Sequence, residues 1–304
     1  MRAVLTRWWD SDVMWSWRHT PVAVCATVLF VLLMAGSLGA GWIAPHNPFD
    51  LASVNLIDAL LPPAWEEGGS STYLLGTDSQ GRDLYSALLY GTRVSVLIGL
   101  AAVALSMLIG VGLGLLSGYA GGRLDAFIMR VADVQLSFPA ILIALLIDGV
   151  ARAAVPAGQH DSIAFPVLVG AIALAGWPQY ARTVRGSTLV EKNREYVQAA
   201  RVIGVPSLVI MFRHVLPNVM GPVMVLATVH LATAIITEAT LSFLGVGVPP
   251  TSPSLGTLIR VGNDFLFSGE WWITIFPGAA LVLLVLSVNL LGDWLRDALN
   301  PRLN

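Results

Sequence analysis

The chain has 304 residues, of which 56% are hydrophobic and only 12% charged, and its mean hydropathy is +0.73. An ordinary soluble domain has about a quarter charged residues, so these values exclude that class and indicate an integral membrane protein. The net charge of −2 gives no sign of nucleic-acid binding. Cys25 is the single cysteine, which excludes an internal disulfide.

Six segments have the length and composition of membrane-spanning helices, each of which needs about 20 mostly apolar residues. They are Val22–Ile43, Val94–Leu116, Phe127–Val150, Ile163–Trp177 (the shortest), Val219–Leu244 and Ile273–Leu291. We therefore predict an all-α integral membrane protein with six transmembrane helices in one membrane domain.

The first segment has a second interpretation as a cleaved signal peptide. Arg2, Arg7 and Arg18 precede it, and residues 36–40 are rich in small side chains. Its apolar run is longer than the roughly 7 to 15 residues of a signal-peptide core, which favours a retained helix.

The distribution of Lys and Arg predicts the orientation, because positively charged connecting segments stay in the cytoplasm. Twelve of these residues lie in connecting segments on the side of the amino terminus and four on the opposite side. Both termini are therefore predicted to be cytoplasmic. The predicted organisation is a cytoplasmic tail (1–21), a first helix (22–43), an external loop with room for a small folded cap (44–93), a transmembrane core (94–291) containing a cytoplasmic loop (178–218), and a cytoplasmic tail (292–304).

Motifs for catalysis or nucleotide binding are missing from the sequence. A P-loop requires Gly-Lys-Ser/Thr, but the only lysine, Lys192, lies between Glu191 and Asn193. The histidines lack metalloprotease spacing, and no Gly-x-Ser-x-Gly elbow occurs. We predict no enzymatic activity and no cofactor in this chain, although distant residues brought together by folding leave an intramembrane enzyme open. A channel or ion-gradient-driven carrier is the stronger alternative.

The segment from Glu195 to Asn218, EYVQAARVIGVPSLVIMFRHVLPN, is a polar, helix-capable stretch between apolar spans. Its first residues predict a short helix with small side chains, and Gly204 stands where a left-handed residue would end it. Pro206 discourages continuation, and Pro217 is expected to break the path before the fifth span. By composition alone, an ordinary basic loop is an equal interpretation.

The order of residues in this segment, E-Y-V-x-A-A-x-x-x-G followed by H-x-L-P-N, resembles the EAA loop of bacterial ABC importer permeases. Four further stretches narrow the resemblance to the C-type permease subunit of the dipeptide and oligopeptide importer family. They are LGTDSQGRDLYSALLYGTRVSVLIG (75–99), LSFPAIL (136–142), EATLSFLGVGVPPTSPSLG (238–256) and GDWLRDALNPRL (292–303).

The resemblance implies a type I importer permease fold in the bacterial inner membrane. Its implied partners are a second, different permease, two cytoplasmic ATPases that carry ATP and Mg²⁺, and an extracytoplasmic substrate-binding protein. The 195–218 segment would be the coupling loop that sits in a groove of an ATPase. Its implied coupling residues are Glu195, Tyr196, Ala199, Ala200, Gly204, His214 and Pro217. Peptides are the expected substrates, with nickel complexes or glutathione as alternatives.

Four other features have competing interpretations. Gly110, Gly114 and Gly118 recur every four residues, which favours close helix packing. His230 lies about 16 Å along the fifth span, where an ionisable side chain either lines a pathway or is hydrogen-bonded between helices. Glu238, about 28 Å along, either contacts substrate or has a structural partner. Arg82 and Asp83 either contact a binding protein or brace the start of a helix.

Overall fold

The structure is a computed structural model that describes residues 12–48, 50 and 55–298. Within these residues it is helical, apart from turns, loops and one isolated bridge between Thr77 and Asp83. Its α-helices are α1 (Asp12–His19), α2 (Pro21–Leu38), α3 (Ala40–Ile43), α4 (Leu84–Ala120), α5 (Gly122–Leu136), α6 (Ala140–Ala154), α7 (His160–Glu191), α8 (Glu195–Val202), α9 (Ser207–Phe243, π-helical over Ile210–Val215), α10 (Leu255–Asn263) and α11 (Trp272–Ala298). The predicted tails extend into residues 1–11 and 299–304, which lie outside the described part.

Five described helices, α2, α4, α7, α9 and α11, are long and apolar enough to cross a membrane. The pair α5 and α6 passes the same test together but is bent by 94°, so the total is six if this pair is one span. The prediction of an all-helical membrane protein is confirmed. The prediction of a single helix over Phe127–Val150 is wrong, because two helices meet there at nearly a right angle.

The bend lies at Ser137 to Pro139, inside the LSFPAIL stretch. A proline disfavours helical geometry in the residue before it and cannot donate a backbone hydrogen bond. α5 therefore ends at Leu136, and α6 begins after the extended Pro139. The side chain of Gln135 accepts a hydrogen bond from Trp177 Nε1 at 2.9 Å, which ties the end of α5 to α7.

The described spans also have different ends from the predicted ones. α4 begins at Leu84, ten residues before the predicted start, because Asp83 caps it by accepting a hydrogen bond from the Ser86 amide at 3.0 Å. α7 continues to Glu191, well past the predicted end at Trp177, and carries Pro178 inside it. Hydropathy detects the apolar part of such a helix and misses its polar extension.

The helices α4 and α7 pack along much of their length, and small residues make this possible. A Cβ atom on Gly110 would lie 2.5 Å from the Trp177 carbonyl oxygen, and one on Gly114 would lie 2.5 Å from the Ala181 carbonyl oxygen. Gly118 faces Thr188 in the same way. The glycines at every fourth position thus let the two backbones approach closely.

The segment before α4 is tied to the helices by buried polar contacts. Thr77 donates its amide to the Leu61 carbonyl at 3.0 Å and accepts a hydrogen bond from Trp272 Nε1 at 3.1 Å. Arg82 Nε lies 2.6 Å from Asp78 Oδ2, and both side chains are buried. These contacts favour the bracing interpretation of this region.

Candidate functional site

The helix α8 ends in a tight turn at Gly204. The Gly204 amide donates to the Arg201 carbonyl and the Val205 amide to the Ala200 carbonyl, both at 3.0 Å. This pair of bonds is the Schellman motif, which needs a left-handed residue, and Gly204 has φ of +83°. Pro206 then starts the chain in a new direction, toward α9.

One face of α8 is buried inside the chain. Val197 and Ala200 are 0% and 5% exposed, and they pack in a cluster with Tyr180, Ile210 and Val215. The Ala200 side chain therefore faces the interior of this chain, and its contact with an ATPase stays a prediction. Ala200 holds α8 against α7 and the start of α9.

The other face of the loop is exposed. Glu195, Ala199 and Gly204 lie on this face, and nothing is within 4 Å of a Cβ atom built on Gly204. Large apolar side chains stand beside them: Val202 is 87% exposed, Ile203 79%, Leu208 66% and Phe212 59%. We call Val202, Ile203, Leu208 and Phe212 the apolar tip.

Tyr196 joins the start of α8 to the end of α7 and to α9. Its hydroxyl lies 2.5 Å from Glu191 Oε1 and 3.2 Å from the His214 carbonyl oxygen. Asn218 Nδ2 donates to the Tyr196 hydroxyl at 3.0 Å and to the His214 carbonyl at 2.7 Å. Partial burial, and then the hydrogen bond with Glu191, raise the pKa of Tyr196, so this phenol stays protonated and donates to the carboxylate.

The predicted break at Pro217 is not found, since α9 runs without interruption from Ser207 to Phe243. Residues Ile210–Val215 are π-helical, and Pro217 follows as an exposed residue of the first α-helical turn. The Asn218 side chain binds the His214 carbonyl at this junction.

His230 lies in a groove where α6, α7 and α9 meet. The groove has a volume of about 170 Å³, and its polar lining residues are Gln179, His230, Thr233 and Thr237. Tyr180 is fully buried beneath it, with its hydroxyl 3.1 Å from His230 Nδ1. Only a glycine fits at position 176, since a Cβ atom there would overlap the His230 ring.

Glu238 does not line this groove, and its contact with substrate stays a prediction. Its side chain is 0% exposed and accepts hydrogen bonds from Ser95 and Ser242, both at 2.7 Å. Ser95 in turn accepts from the Leu255 amide at 3.2 Å, at the start of α10. Glu238 therefore joins α4, α9 and α10 as a structural residue.

The sequence interpretation missed Gln179, Tyr180, Thr233 and Thr237. Gln179 and Tyr180 were missed because the predicted fourth span ends at Trp177, whereas α7 continues to Glu191. The threonines did leave a signal, because His230, Thr233 and Thr237 are spaced by three and four residues and so share one helical face.

The chain matches known transport proteins over most of its length. Residues 110–304 match the family model described as "Binding-protein-dependent transport system inner membrane component". The di/tripeptide transport system permease protein DppC of Pseudomonas aeruginosa is 40% identical over 95% of this chain and 90% of its own length. The dipeptide transport system permease protein DppC of Haemophilus influenzae is 43% identical over 91% of this chain and 89% of its own length.

A solved structure shares the fold. A chain from inward-facing conformations of the MetNI methionine ABC transporter superposes with a TM-score of 0.55 and 19% identity, over 70% of this chain and 96% of that one. This likeness concerns the fold alone. Taken with the family match and the apolar helices, it leads to one conclusion: the chain belongs to the family of binding-protein-dependent transport system inner membrane components, as a multi-pass inner-membrane permease.

Proposed function

We propose that this chain and a second, different permease form the translocation pathway of an importer for di- or oligopeptides, driven by two partner ATPases. The substrate class is supported by relatives at 40% and 43% identity whose names specify dipeptides or di- and tripeptides. Those names favour peptides over nickel complexes or glutathione.

The observation that carries the proposal is the two-sided construction of the 195–218 loop. Its inner face is buried in the chain's own core, whereas the apolar tip is exposed around the turn between α8 and α9. Exposed apolar groups that cluster mark contacts with a protein or with the membrane, and the charged and polar residues around the tip favour a protein. We infer that this partner is the ATPase, with Glu195, Ala199 and Gly204 beside the tip in the contact.

The roles of the partners follow from what this chain lacks. Its sequence has no P-loop, so ATP and Mg²⁺ would be bound by the ATPases and the chain itself would catalyse no reaction. The Lys and Arg distribution supports a cytoplasmic location for the loop and both termini. The 44–83 segment would then face outward, where a substrate-binding protein docks.

The proposed mechanism transmits movement through a packed element. Closure of the ATPases would push on the apolar tip, and α8 would carry that push to α7 and α9 through Val197, Ala200 and Tyr180. Packed interfaces respond to such a push as rigid bodies. The two permeases would alternate between inward-open and outward-open states.

The ionisable residues of the fifth span give little support to the alternative of a gradient-driven carrier. Such a carrier needs ionisable groups that face a pathway, and its candidates were His230 and Glu238. Glu238 is fully buried and bound by two serines. His230 alone is a weak basis for ion coupling.

Replacing Ile203 and Leu208 by Glu tests the proposal, because both are exposed in the chain and the double variant should fold. In the reconstituted complex we expect ATPase association and ATP-driven peptide uptake to fall at least about ten-fold, as expected when apolar anchors of an interface are lost. Ile57→Glu, at an 89% exposed site in the 44–83 segment, is the matched control for ATPase association and should leave that association unchanged. Full uptake by the double variant would contradict the proposal.

A further inference from the structure

We propose that the groove where α6, α7 and α9 meet is a contact site for the peptide backbone. Thr233 and Thr237 would accept hydrogen bonds from peptide N–H groups, and His230 Nε2–H would donate to a carbonyl or carboxylate oxygen. This inference rests on the proposed function, because it takes the groove as part of a peptide pathway.

The groove offers polar groups in a region where they are costly. Polar side chains within the apolar part of a membrane are expensive, and they usually face a protein interior or a water-filled cavity. Gln179 and Thr233 are exposed in this chain, and both line the groove with His230 and Thr237. A role in contacting a polar solute accounts for their exposure.

The two threonines present acceptors rather than donors. The Thr233 hydroxyl donates to the His230 carbonyl at 2.9 Å, and the Thr237 hydroxyl donates to the Thr233 carbonyl at 2.8 Å. A hydroxyl has one proton and two acceptor positions. With their protons used inside α9, both oxygens offer lone pairs to a donor in the groove.

The tautomer of His230 depends on the hydrogen bond between its Nδ1 and the buried Tyr180 hydroxyl. In the proposed arrangement Tyr180 would donate to Nδ1, because the described residues give its hydroxyl no other acceptor. A neutral imidazole then carries its proton on Nε2. His230 lines the groove, so Nε2–H would be its donor to a peptide oxygen there.

The groove therefore presents acceptors and a donor along one face of α9, which matches the alternating N–H and C=O groups of a peptide. The described residues that line it include no Asp, Glu, Lys or Arg. Contact would thus be made to groups that all peptides share, and not to particular charged side chains.

The volume of the groove indicates that this chain supplies one wall of the site. Ligand pockets have volumes of roughly 300 to 1,000 Å³, whereas this groove has about 170 Å³. The opposite wall would come from the second permease.

The test uses the complete importer in liposomes, with ATP and saturating loaded binding protein. Thr233→Val and Thr237→Val together remove both acceptors while keeping the side-chain shape. Two lost hydrogen bonds should lower dipeptide uptake about ten-fold, with ATP hydrolysis and co-purification of the complex retained. Thr240→Val is the matched control, because its hydroxyl also donates within α9, to Ile236 at 2.8 Å, but does not line the groove. It should transport like the wild type.

A dipeptide methylated on its peptide nitrogen makes the test specific to the N–H group. The wild type should transport it more slowly than the parent dipeptide, whereas the double variant should transport both at one low rate. If the double variant transports the parent dipeptide like the wild type, the site is wrong although the proposed function stands. If the wild-type complex itself transports no peptide, the proposed function fails.

Cysteine labelling gives a second readout if the double variant does not assemble. The sequence has one cysteine, so Cys25→Ala leaves this chain free of thiols, and labelling is read on this chain alone. Thr237→Cys should be labelled by a water-soluble thiol reagent and protected by dipeptide during turnover. Val282→Cys, exposed on α11 outside the groove, should show no protection. An active complex in which Thr237→Cys is unlabelled, or unprotected by peptide, would overturn the inference.

Discussion

The Tyr180 hydroxyl lies 3.1 Å from His230 Nδ1, while the Tyr180 ring packs in the same cluster as Val197 and Ala200 of α8. One buried side chain therefore contacts a residue of the groove and belongs to the hydrophobic cluster that holds the loop proposed to bind an ATPase. Gly110 of α4 lies directly against Tyr180 and leaves it no room to move toward that helix.

Tyr180→Phe should weaken the link between ATP hydrolysis and transport. The substitution keeps the ring and removes one hydrogen bond of about 1 kcal/mol, which frees the His230 tautomer. We expect peptide uptake per ATP hydrolysed to fall about three- to ten-fold. Tyr119→Phe is the control, because Tyr119 packs against the same cluster and its hydroxyl has no hydrogen bond among the described residues.

The same pair can be tested for coupling. If Tyr180 acts through His230, the effects of Tyr180→Phe and His230→Ala on uptake should be strongly non-additive, as for residues in direct contact. Additive losses would show that the two side chains act separately.

Replacement of Glu238 should affect stability rather than transport. Glu238→Ala leaves the Ser95 and Ser242 hydroxyls without their acceptor in a buried site, at a cost of about 3 kcal/mol. Glu238→Gln keeps an acceptor and should be much milder. The check is the thermal unfolding midpoint in detergent alongside peptide uptake. A Gln variant of normal stability that cannot transport would restore the pathway role.

The effect on stability of replacing a glycine of α4 by alanine should depend on the space around that glycine. Gly114→Ala would place a Cβ atom 2.5 Å from the Ala181 carbonyl oxygen and force α4 from α7. We expect a loss of about 1 to 3 kcal/mol in stability from this overpacking. Gly112, in the same helix, has nothing within 4 Å, so Gly112→Ala should be neutral or slightly stabilising. Equal unfolding midpoints for the two variants would contradict this packing.

Arg82 should hold the 44–83 segment in place. Its Nε pairs with Asp78, and its Nη1 donates to the Pro250 carbonyl at 3.0 Å. Arg82→Ala leaves the buried Asp78 carboxylate without a counter-charge, which typically costs about 3 to 5 kcal/mol. Limited proteolysis should then cut this segment faster than in the wild type. Glu67→Ala, at an exposed site, is the control, and similar cleavage of both variants would argue against a brace at Arg82.

Hydropathy was sufficient to predict the helical class and the approximate spans, because about 20 apolar residues leave few alternatives to a membrane helix. It did not predict which prolines interrupt a helix. Pro139 separates α5 from α6, yet Pro178 lies inside α7, buried where that helix packs on α4. Tertiary packing decides between these outcomes, and the local sequence does not contain it.

Only those parts of the candidate site that depend on local sequence were predictable. The short helix at 195–202 and the glycine that ends it were predictable, because both depend on local sequence. The inward position of Ala200 and the burial of Glu238 depend on α4, α7 and α10, which are distant in the sequence. The spacing of His230, Thr233 and Thr237 predicts that they share one face of α9. The contact of His230 with Tyr180 was not predictable, because Tyr180 belongs to another helix.

The most direct test of the account is peptide uptake by liposomes that contain this chain alone, or the chain with its second permease, ATPases and binding protein. We predict uptake only by the complete complex with ATP, and its loss when Ile203 and Leu208 are replaced by Glu. Uptake by the chain alone under an ion gradient, without ATP, would contradict the account and favour a gradient-driven carrier.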